Sequence, residues 1–118
     1  MKAINAIITH ADIKLDGVFL TMGMTLDLEN GGEVGFGGSR LLFNKAEQFS
    51  RTGNNCAGFF ITRVMTIARA EKFSELKGKP IRAIFEKDAK IGDSIIGIQD
   101  FLNNERFIPK EVFDNEDR

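Results

Sequence analysis

The sequence contains no tryptophan and no tyrosine, although it contains eleven phenylalanines among its 118 residues. Phenylalanine contributes buried area and ring faces, but it carries neither a hydroxyl group nor an indole N–H. The single cysteine, Cys56, excludes an intramolecular disulfide. Together with the single histidine, His10, it leaves too few ligands for a structural zinc site, which needs about four. We therefore expect no metal and no cofactor.

Long apolar runs and an excess of charge are also missing. No segment approaches the ~18 apolar residues that favour a membrane span, and a net charge of −1 gives no field that would attract duplex nucleic acid. The composition, 42% hydrophobic and 28% charged, is typical of a globular domain. We expect one domain over residues 1–118, located in the cytoplasm, with neither membrane nor duplex nucleic acid as a partner.

The first third of the chain has the period of β-strands. Residues 18–28 place an apolar side chain at every even position, which is typical of a half-buried strand. Residues 4–15 shift their apolar positions from even to odd, and a bulge near Thr9 and His10 would explain the shift. Turn signals at 16–17 (DG) and 30–32 (NGG) separate these runs from a third at 33–36. The pattern predicts a three-stranded antiparallel meander.

The next regular segment is helical. After a polar loop at 51–55 that offers Asn54 or Asn55 as an N-cap, residues 56–69 place Phe60, Val64 and Ile67 at helical spacing. Further strands are predicted at 81–86 and 94–101, and a short edge strand at 107–109, with a loop at 87–93. The predicted fold class is α+β, an antiparallel sheet of about five or six strands with one main helix packed on it.

Apolar residues surround most of this helix. They are Phe59, Phe60, Ile61, Val64 and Met65. A sheet from a chain of this length covers only part of such a surface, and a large exposed apolar patch normally marks an interface. We therefore expect a homo-oligomer.

Candidate catalytic groups are few. His10 lies in the shifted part of the first strand and Cys56 lies at the start of the helix, but no third group accompanies them. A polar strand histidine and a small buried thiol account for them more simply. The Gly35-Phe36-Gly37-Gly38 segment matches neither a dinucleotide fingerprint nor a phosphate loop; it would suit a bulge or the close approach of a ligand. We expect no catalytic residues and no enzymatic activity.

Arginine and phenylalanine offer a binding chemistry instead. Guanidinium groups bind phosphate in pairs of hydrogen bonds, and aromatic rings stack on bases. Scattered surface arginines and core phenylalanines are the alternative, and the sequence alone does not decide between them. The residues concerned are Arg40, Arg63, Arg82, Arg106, Phe36 and Phe107.

Three blocks in order along the chain resemble small phage proteins of the Thoeris anti-defence family, the sponges that sequester cyclic nucleotide signals of bacterial immunity. The blocks are 35–38 (GFGG), 57–64 (AGFFITRV) and 76–82 (LKGKPIR), followed by 96–98 (IGI) and 107–109 (FIP). The resemblance covers roughly residues 5–113. It implies capture, without cleavage, of a cyclic ADP-ribose isomer, and in some members of cyclic oligonucleotides, by a homo-oligomer in the cytoplasm of an infected host.

We expect the ligand to be contacted by two elements. Phe36, Gly37 and Gly38 would approach it from one, because glycines leave the backbone open to a ribose or phosphate. Asn103, Arg106 and Phe107 would approach it from the other, with Arg106 holding a phosphate and Phe107 or Phe36 stacking on the base. Arg63 would join the site or pair instead with a carboxylate.

Two other functions are compatible with the sequence. A phage-encoded inhibitor would block a host protein by direct contact, through an exposed apolar patch or an acidic one that includes residues 114–117. A small hydrolase of the same signal would need His10 or a pair of carboxylates in its pocket.

Overall fold

The computed structural model describes residues 1–16, 19–37, 54–90 and 93–111. These form one antiparallel sheet in the order β3-β2-β1-β4-β5-β6, with one long helix packed against it. The predicted α+β class is confirmed. The elements are β1 (Lys2–Asp16), β2 (Phe19–Leu28), β3 (Glu33–Gly37), α1 (Asn54–Ala68), a 3-10 helix (Phe73–Glu75), β4 (Pro80–Phe85), β5 (Gly97–Gln99) and β6 (Arg106–Phe107).

Several predicted features fall outside the described residues. They are Gly17 of the turn predicted at 16–17, Gly38, Arg40, residues 51–53 of the loop predicted at 51–55 and the acidic residues at 114–117. Within the described ranges, no helix is long and apolar enough to cross a membrane.

The bulge predicted in β1 is present. The pairing of β1 with β2 changes register between Ile8 and His10, so Thr9 is the extra residue, and its hydroxyl donates to the Thr25 carbonyl at 3.2 Å. The change moves the apolar side chains of β1 from even to odd positions while those of β2 stay even. Both strands therefore keep their apolar residues on one face, the inner face of the sheet.

The strand predicted over 94–101 is shorter than expected. Only Gly97–Gln99 pair, between β4 and β6. The Asp100 carboxylate accepts the backbone N–H groups of Leu102 and Asn103, and this local turn competes with the ladder and ends the strand. The predicted edge strand at 107–109 begins one residue earlier and ends two residues earlier, as Arg106–Phe107.

Helix α1 begins at Asn54, two residues earlier than predicted, so Asn54 and Asn55 lie in its first turn and neither is the N-cap that we predicted. It ends one residue earlier than predicted, after Ala68. Arg69 adopts a left-handed conformation with φ of 60°, and the Ala70 N–H donates to the Met65 carbonyl at 2.9 Å. These are the features of a Schellman C-terminus, where glycine is the usual residue. An arginine in this conformation costs about 1 kcal/mol or more. Favourable contacts of the Arg69 side chain would offset this cost.

Three phenylalanine rings join the two outer strands of the sheet to the helix. The Phe36 ring on β3 stacks on the Phe60 ring of α1 at 5.5 Å, and the Phe107 ring on β6 meets Phe60 edge-on at 5.3 Å. Phe36 and Phe107 are themselves 6.3 Å apart, although their strands are at opposite ends of the strand order. The sheet therefore curls until its edges meet at this ring cluster of Phe36, Phe60 and Phe107.

Gly37 is the position where the curl depends most on glycine. Its φ is +92°, and a β-carbon there would lie 2.5 Å from the Met22 carbonyl oxygen and 3.3 Å from the Phe60 ring. Gly37→Ala should lower the free energy of unfolding by about 1–3 kcal/mol, because it combines left-handed strain with a backbone clash. Urea unfolding of the purified variant measures this.

Gly58→Ala provides the matched control. Gly58 lies in α1 with nothing within 4 Å of its would-be β-carbon, so alanine should raise the free energy of unfolding by about 0.5–1 kcal/mol. A Gly37→Ala variant as stable as the unaltered protein would contradict the close approach of β3 to β2 at this position.

Candidate functional site

The segment between β5 and β6 is built around a buried carboxylate. The side chain of Asp100 accepts the Leu102 N–H at 2.7 Å and the Asn103 N–H at 3.2 Å, and the Asp100 residue is only 4% exposed. The Asp100 N–H donates in turn to the Glu105 carbonyl at 2.8 Å. Residues 100–105, the β5–β6 loop, therefore form a closed turn whose shape depends on one charged group.

Arg69 neutralises that group from the helix. Its Nε donates to the second Asp100 carboxylate oxygen at 3.0 Å, which ties the end of α1 to the β5–β6 loop. Burial acts to raise the pKa of Asp100, but the Leu102 N–H, the Arg69 hydrogen bond and charge, and the Asn103 N–H outweigh it. The pKa of Asp100 is therefore lowered from its usual value, as expected for a carboxylate whose ionised form is hydrogen-bonded.

Arg63 fixes the other end of the same loop. One of its nitrogens lies 2.9 Å from a Glu105 carboxylate oxygen, and another donates to the Arg106 carbonyl at 3.1 Å. The carbonyl of an edge strand otherwise has no partner in the sheet, so Arg63 caps the outer edge of β6. We expected Arg63 either to join the ligand site or to pair with a carboxylate, and in this structure it pairs with Glu105.

Arg106 and Phe107 are on opposite faces of β6, because successive strand residues alternate. Phe107 is 1% exposed and belongs to the ring cluster, while the Arg106 side chain is exposed on the outer face. One of its guanidinium nitrogens lies 3.9 Å from the Met1 sulfur. Among the residues that the structure describes, no carboxylate pairs with Arg106.

The structure brings the predicted site residues together as two groups. Phe36 and Phe107 meet in the core around Phe60, where neither ring face is open to a base, and the exposed Gly37 lies beside the Phe60 ring. Gly38 lies outside the described residues.

The second group surrounds the β5–β6 loop. Arg63, Asn103 and Arg106 belong to it, and the exposed Asn103 accepts the Glu105 N–H through its side-chain oxygen at 2.8 Å. Because the sheet separates Arg106 from Phe107, one ligand would have to wrap around its edge to contact both.

Phe59 was not among the predicted site residues. Its ring is 40% exposed and meets Phe107 edge-on at 6.1 Å. It precedes Arg63 by four residues on α1, and this spacing places both side chains on the same side of the helix. This spacing is the feature of the sequence that could have identified Phe59 as a site residue. Phe59 is thus a partly exposed ring beside the arginine-bearing edge.

A separate groove of about 390 Å³ opens on the inner face at the other end of the sheet. Its floor is apolar, and its walls are the β2–β3 turn and the loop after β4. The floor residues are Ile4, Leu28, Val34 and Phe85. None of the predicted site residues that the structure describes lines it.

The candidate catalytic groups are not assembled into one site by the described residues. His10 lies 3.6 Å from Asp12, and both side chains are at least half exposed on the long β1–β2 hairpin. Cys56 falls in the first turn of α1. No group of three or more His, Cys, Asp or Glu side chains that could hold a metal occurs in the described part of the chain.

Comparison with protein-family models, with curated proteins and with solved structures finds no match for this chain. The candidate site is therefore defined by its own geometry, the arginine-bearing edge formed by α1, the β5–β6 loop and β6.

The lowered pKa of Asp100 predicts the acid sensitivity of this edge. A carboxylate whose folded pKa lies below its unfolded value stabilises the fold above the unfolded pKa, and this stabilisation is lost as the pH falls through the folded pKa. Asp100→Asn should reduce the free energy of unfolding by about 1–3 kcal/mol at neutral pH, because Arg69 loses its ionic partner. The loss of stability below about pH 4 should then be smaller than in the unaltered protein.

Urea unfolding at a series of pH values measures both effects. Glu86→Gln, which also removes one acid at an exposed position, controls for net charge. If the free energy of unfolding fell with pH equally in Asp100→Asn and in the unaltered protein, this would contradict the role given to Asp100.

Proposed function

We propose that this protein binds a cyclic nucleotide signal, a cyclic ADP-ribose isomer or a cyclic oligonucleotide, and holds it without cleaving it. The observation that carries the proposal is the exposed guanidinium of Arg106, which has no carboxylate partner among the described residues, on a strand edge fixed by Arg63 and the β5–β6 loop. The resemblance to Thoeris anti-defence sponges supports the same function. Such a protein would act in the cytoplasm of an infected bacterium, where captured signal would not reach its receptor.

The chemistry of this edge suits a phosphate. An arginine is charged at every physiological pH and offers parallel N–H donors that match two phosphate oxygens. An arginine already paired with a carboxylate would have to give up that partner, whereas Arg106 has none to give up among the described residues. Capture by hydrogen bonds and stacking needs no nucleophile and no general base, so binding and release leave the ligand intact.

The base requires an aromatic face. Phe36 and Phe107, which we expected to provide it, are used in the core, whereas Phe59 is 40% exposed. We therefore assign the stacking contact to Phe59 in this proposal. Stacking on a ring is worth roughly 1–3 kcal/mol per base in proteins that bind single-stranded nucleic acids.

Arg106→Ala tests the proposal. With cyclic ADP-ribose isomers and cyclic dinucleotides as ligands, the variant should bind about tenfold more weakly or worse, because a charge-assisted hydrogen bond is lost. Its thermal midpoint should hardly change, since an exposed arginine contributes little to folding. Isothermal titration calorimetry and a thermal melt measure the two quantities.

Lys77→Ala is the matched control, because Lys77 is an exposed cation in the turn before β4. It should leave nucleotide affinity nearly unchanged. Equal affinity of Arg106→Ala and the unaltered protein would remove Arg106 from the site, and binding of none of these nucleotides would end the proposal.

One observation favours the alternative, an inhibitor that docks on a host protein. The β1–β2 hairpin extends beyond the end of β4 and exposes two apolar side chains, Ile13 at 38% and Leu15 at 73%. Exposed apolar surface of this kind is suited to protein contact. A Leu15→Asp variant that lost anti-defence activity in infected cells while keeping full nucleotide affinity would favour this alternative.

We also propose that the protein assembles as a homo-oligomer, at least a dimer. Two of the five apolar helix residues expected at an interface, Phe60 and Val64, are used in the core, whereas Phe59 stays 40% exposed and Ile61 and Met65 are half-buried. Ile61 and Met65, four residues apart on one side of the helix, leave an apolar surface that a second copy would cover, and Phe59 on the other side stays with the base. Light scattering at micromolar concentration should give at least twice the 13.1 kDa chain mass, and a strict monomer mass would contradict the assembly.

A further inference from the structure

We infer that Arg82, Gln99 and Arg106 form one strip on the outer face of the sheet that binds a ligand through two phosphoryl groups. The inference rests on the proposed function and deepens it, because it assigns the two phosphoryl groups of that ligand to three named residues of the outer face. The residues come from three different strands, and their sequence positions give no hint that they are neighbours.

The strand register assembles the strip. Arg82 on β4 is paired with Gln99 on β5, and Gln99 is paired with Arg106 on β6. Residues directly opposite each other on antiparallel strands project from the same face. Their neighbours Ala83, Ile98 and Phe107 are buried on the inner face, so the three polar side chains lie on the outer face.

The strip carries two positive charges and no negative one. Among the described residues, neither arginine pairs with a carboxylate, although Arg63 and Arg69 both do. Gln99 adds an amide between the two charges, and its Nε2 lies 3.5 Å from the Asn103 carbonyl. Two unpaired guanidinium groups side by side repel each other, and an anion that contacts both removes this repulsion.

Two contacts within the protein fix the position of the Arg82 side chain. One of its nitrogens donates to the Phe101 carbonyl at 2.9 Å, and its guanidinium carbon lies 5.9 Å from the centre of the Phe101 ring. These contacts reduce the conformational freedom that a long side chain would otherwise lose on binding. The other nitrogens of the guanidinium remain for a phosphoryl oxygen.

The spacing points to two phosphoryl groups instead of one. Neighbouring strands are about 4.8 Å apart, so the Cα atoms of Arg82 and Arg106, on either side of β5, are separated by about 10 Å. A pair of adjacent phosphoryl groups gives each guanidinium its own oxygens. A single phosphate would have to draw both long side chains over Gln99 to be shared.

Inorganic pyrophosphate and inorganic phosphate are the probes, because they differ in phosphoryl number and carry no base. Backbone amide NMR titrations at matched ionic strength report both affinity and location. Pyrophosphate should bind about tenfold more tightly than phosphate and shift the amides of Arg82, Gln99 and Arg106. Arg82→Gln and Arg106→Gln should each lower pyrophosphate affinity about tenfold, whereas Lys77→Gln, with the same loss of charge, should not.

If the amide NMR spectrum of Arg82→Gln is that of an unfolded chain, because the contact of Arg82 with Phe101 is lost, the Gln99→Leu variant takes its place in the test. This variant keeps both arginines and should also weaken pyrophosphate binding. Pyrophosphate that binds no more tightly than phosphate, or that shifts amides elsewhere, overturns the strip. Such a result leaves the nucleotide affinity of Arg106→Ala as a separate test of the proposed function.

Discussion

The ring cluster of Phe36, Phe60 and Phe107 is the packing contact on which the rest of the structure depends. It joins the first and last strands of the sheet order through one helix residue. Phenylalanine suits this position because a buried tyrosine or tryptophan would also need a partner for its O–H or N–H. Because the cluster draws β6 against α1, Arg63 can reach the β6 edge and Arg69 can reach Asp100.

The curl of the sheet also determines which side chains are exposed. β6 presents Phe107 to the core and Arg106 to the outer face, so apolar and ionic contacts are separated by the thickness of one strand. Of the four arginines within the described residues, two are used in ion pairs that hold the β5–β6 loop. The other two share the outer face with Gln99. A fixed loop and two arginines without carboxylate partners among these residues form a surface suited to an anion.

Local pattern was sufficient for most of the fold. Alternation predicted β2 and the bulge at Thr9, and helical spacing predicted the buried face of α1, because these features depend on neighbours a few residues apart. The site was predicted less completely, since it depends on long-range register. Nothing in the sequence near Arg82 indicates Gln99 and Arg106 beside it. Phe36 and Phe107, which we predicted at a ligand site, lie in the core because the curl of the sheet buries them. The Asp100 turn also shortened β5, since a side chain can replace ladder hydrogen bonds.

Capture without cleavage is the central claim, and recovery of bound material tests it most directly. The purified protein would be incubated with lysate from cells whose nucleotide immune signalling has been activated, purified again and denatured. Mass spectrometry would then identify what is released. The account predicts an intact cyclic nucleotide in near-stoichiometric amount. A linear or hydrolysed product would indicate an enzyme, and the absence of any nucleotide would indicate that the protein acts by another kind of contact.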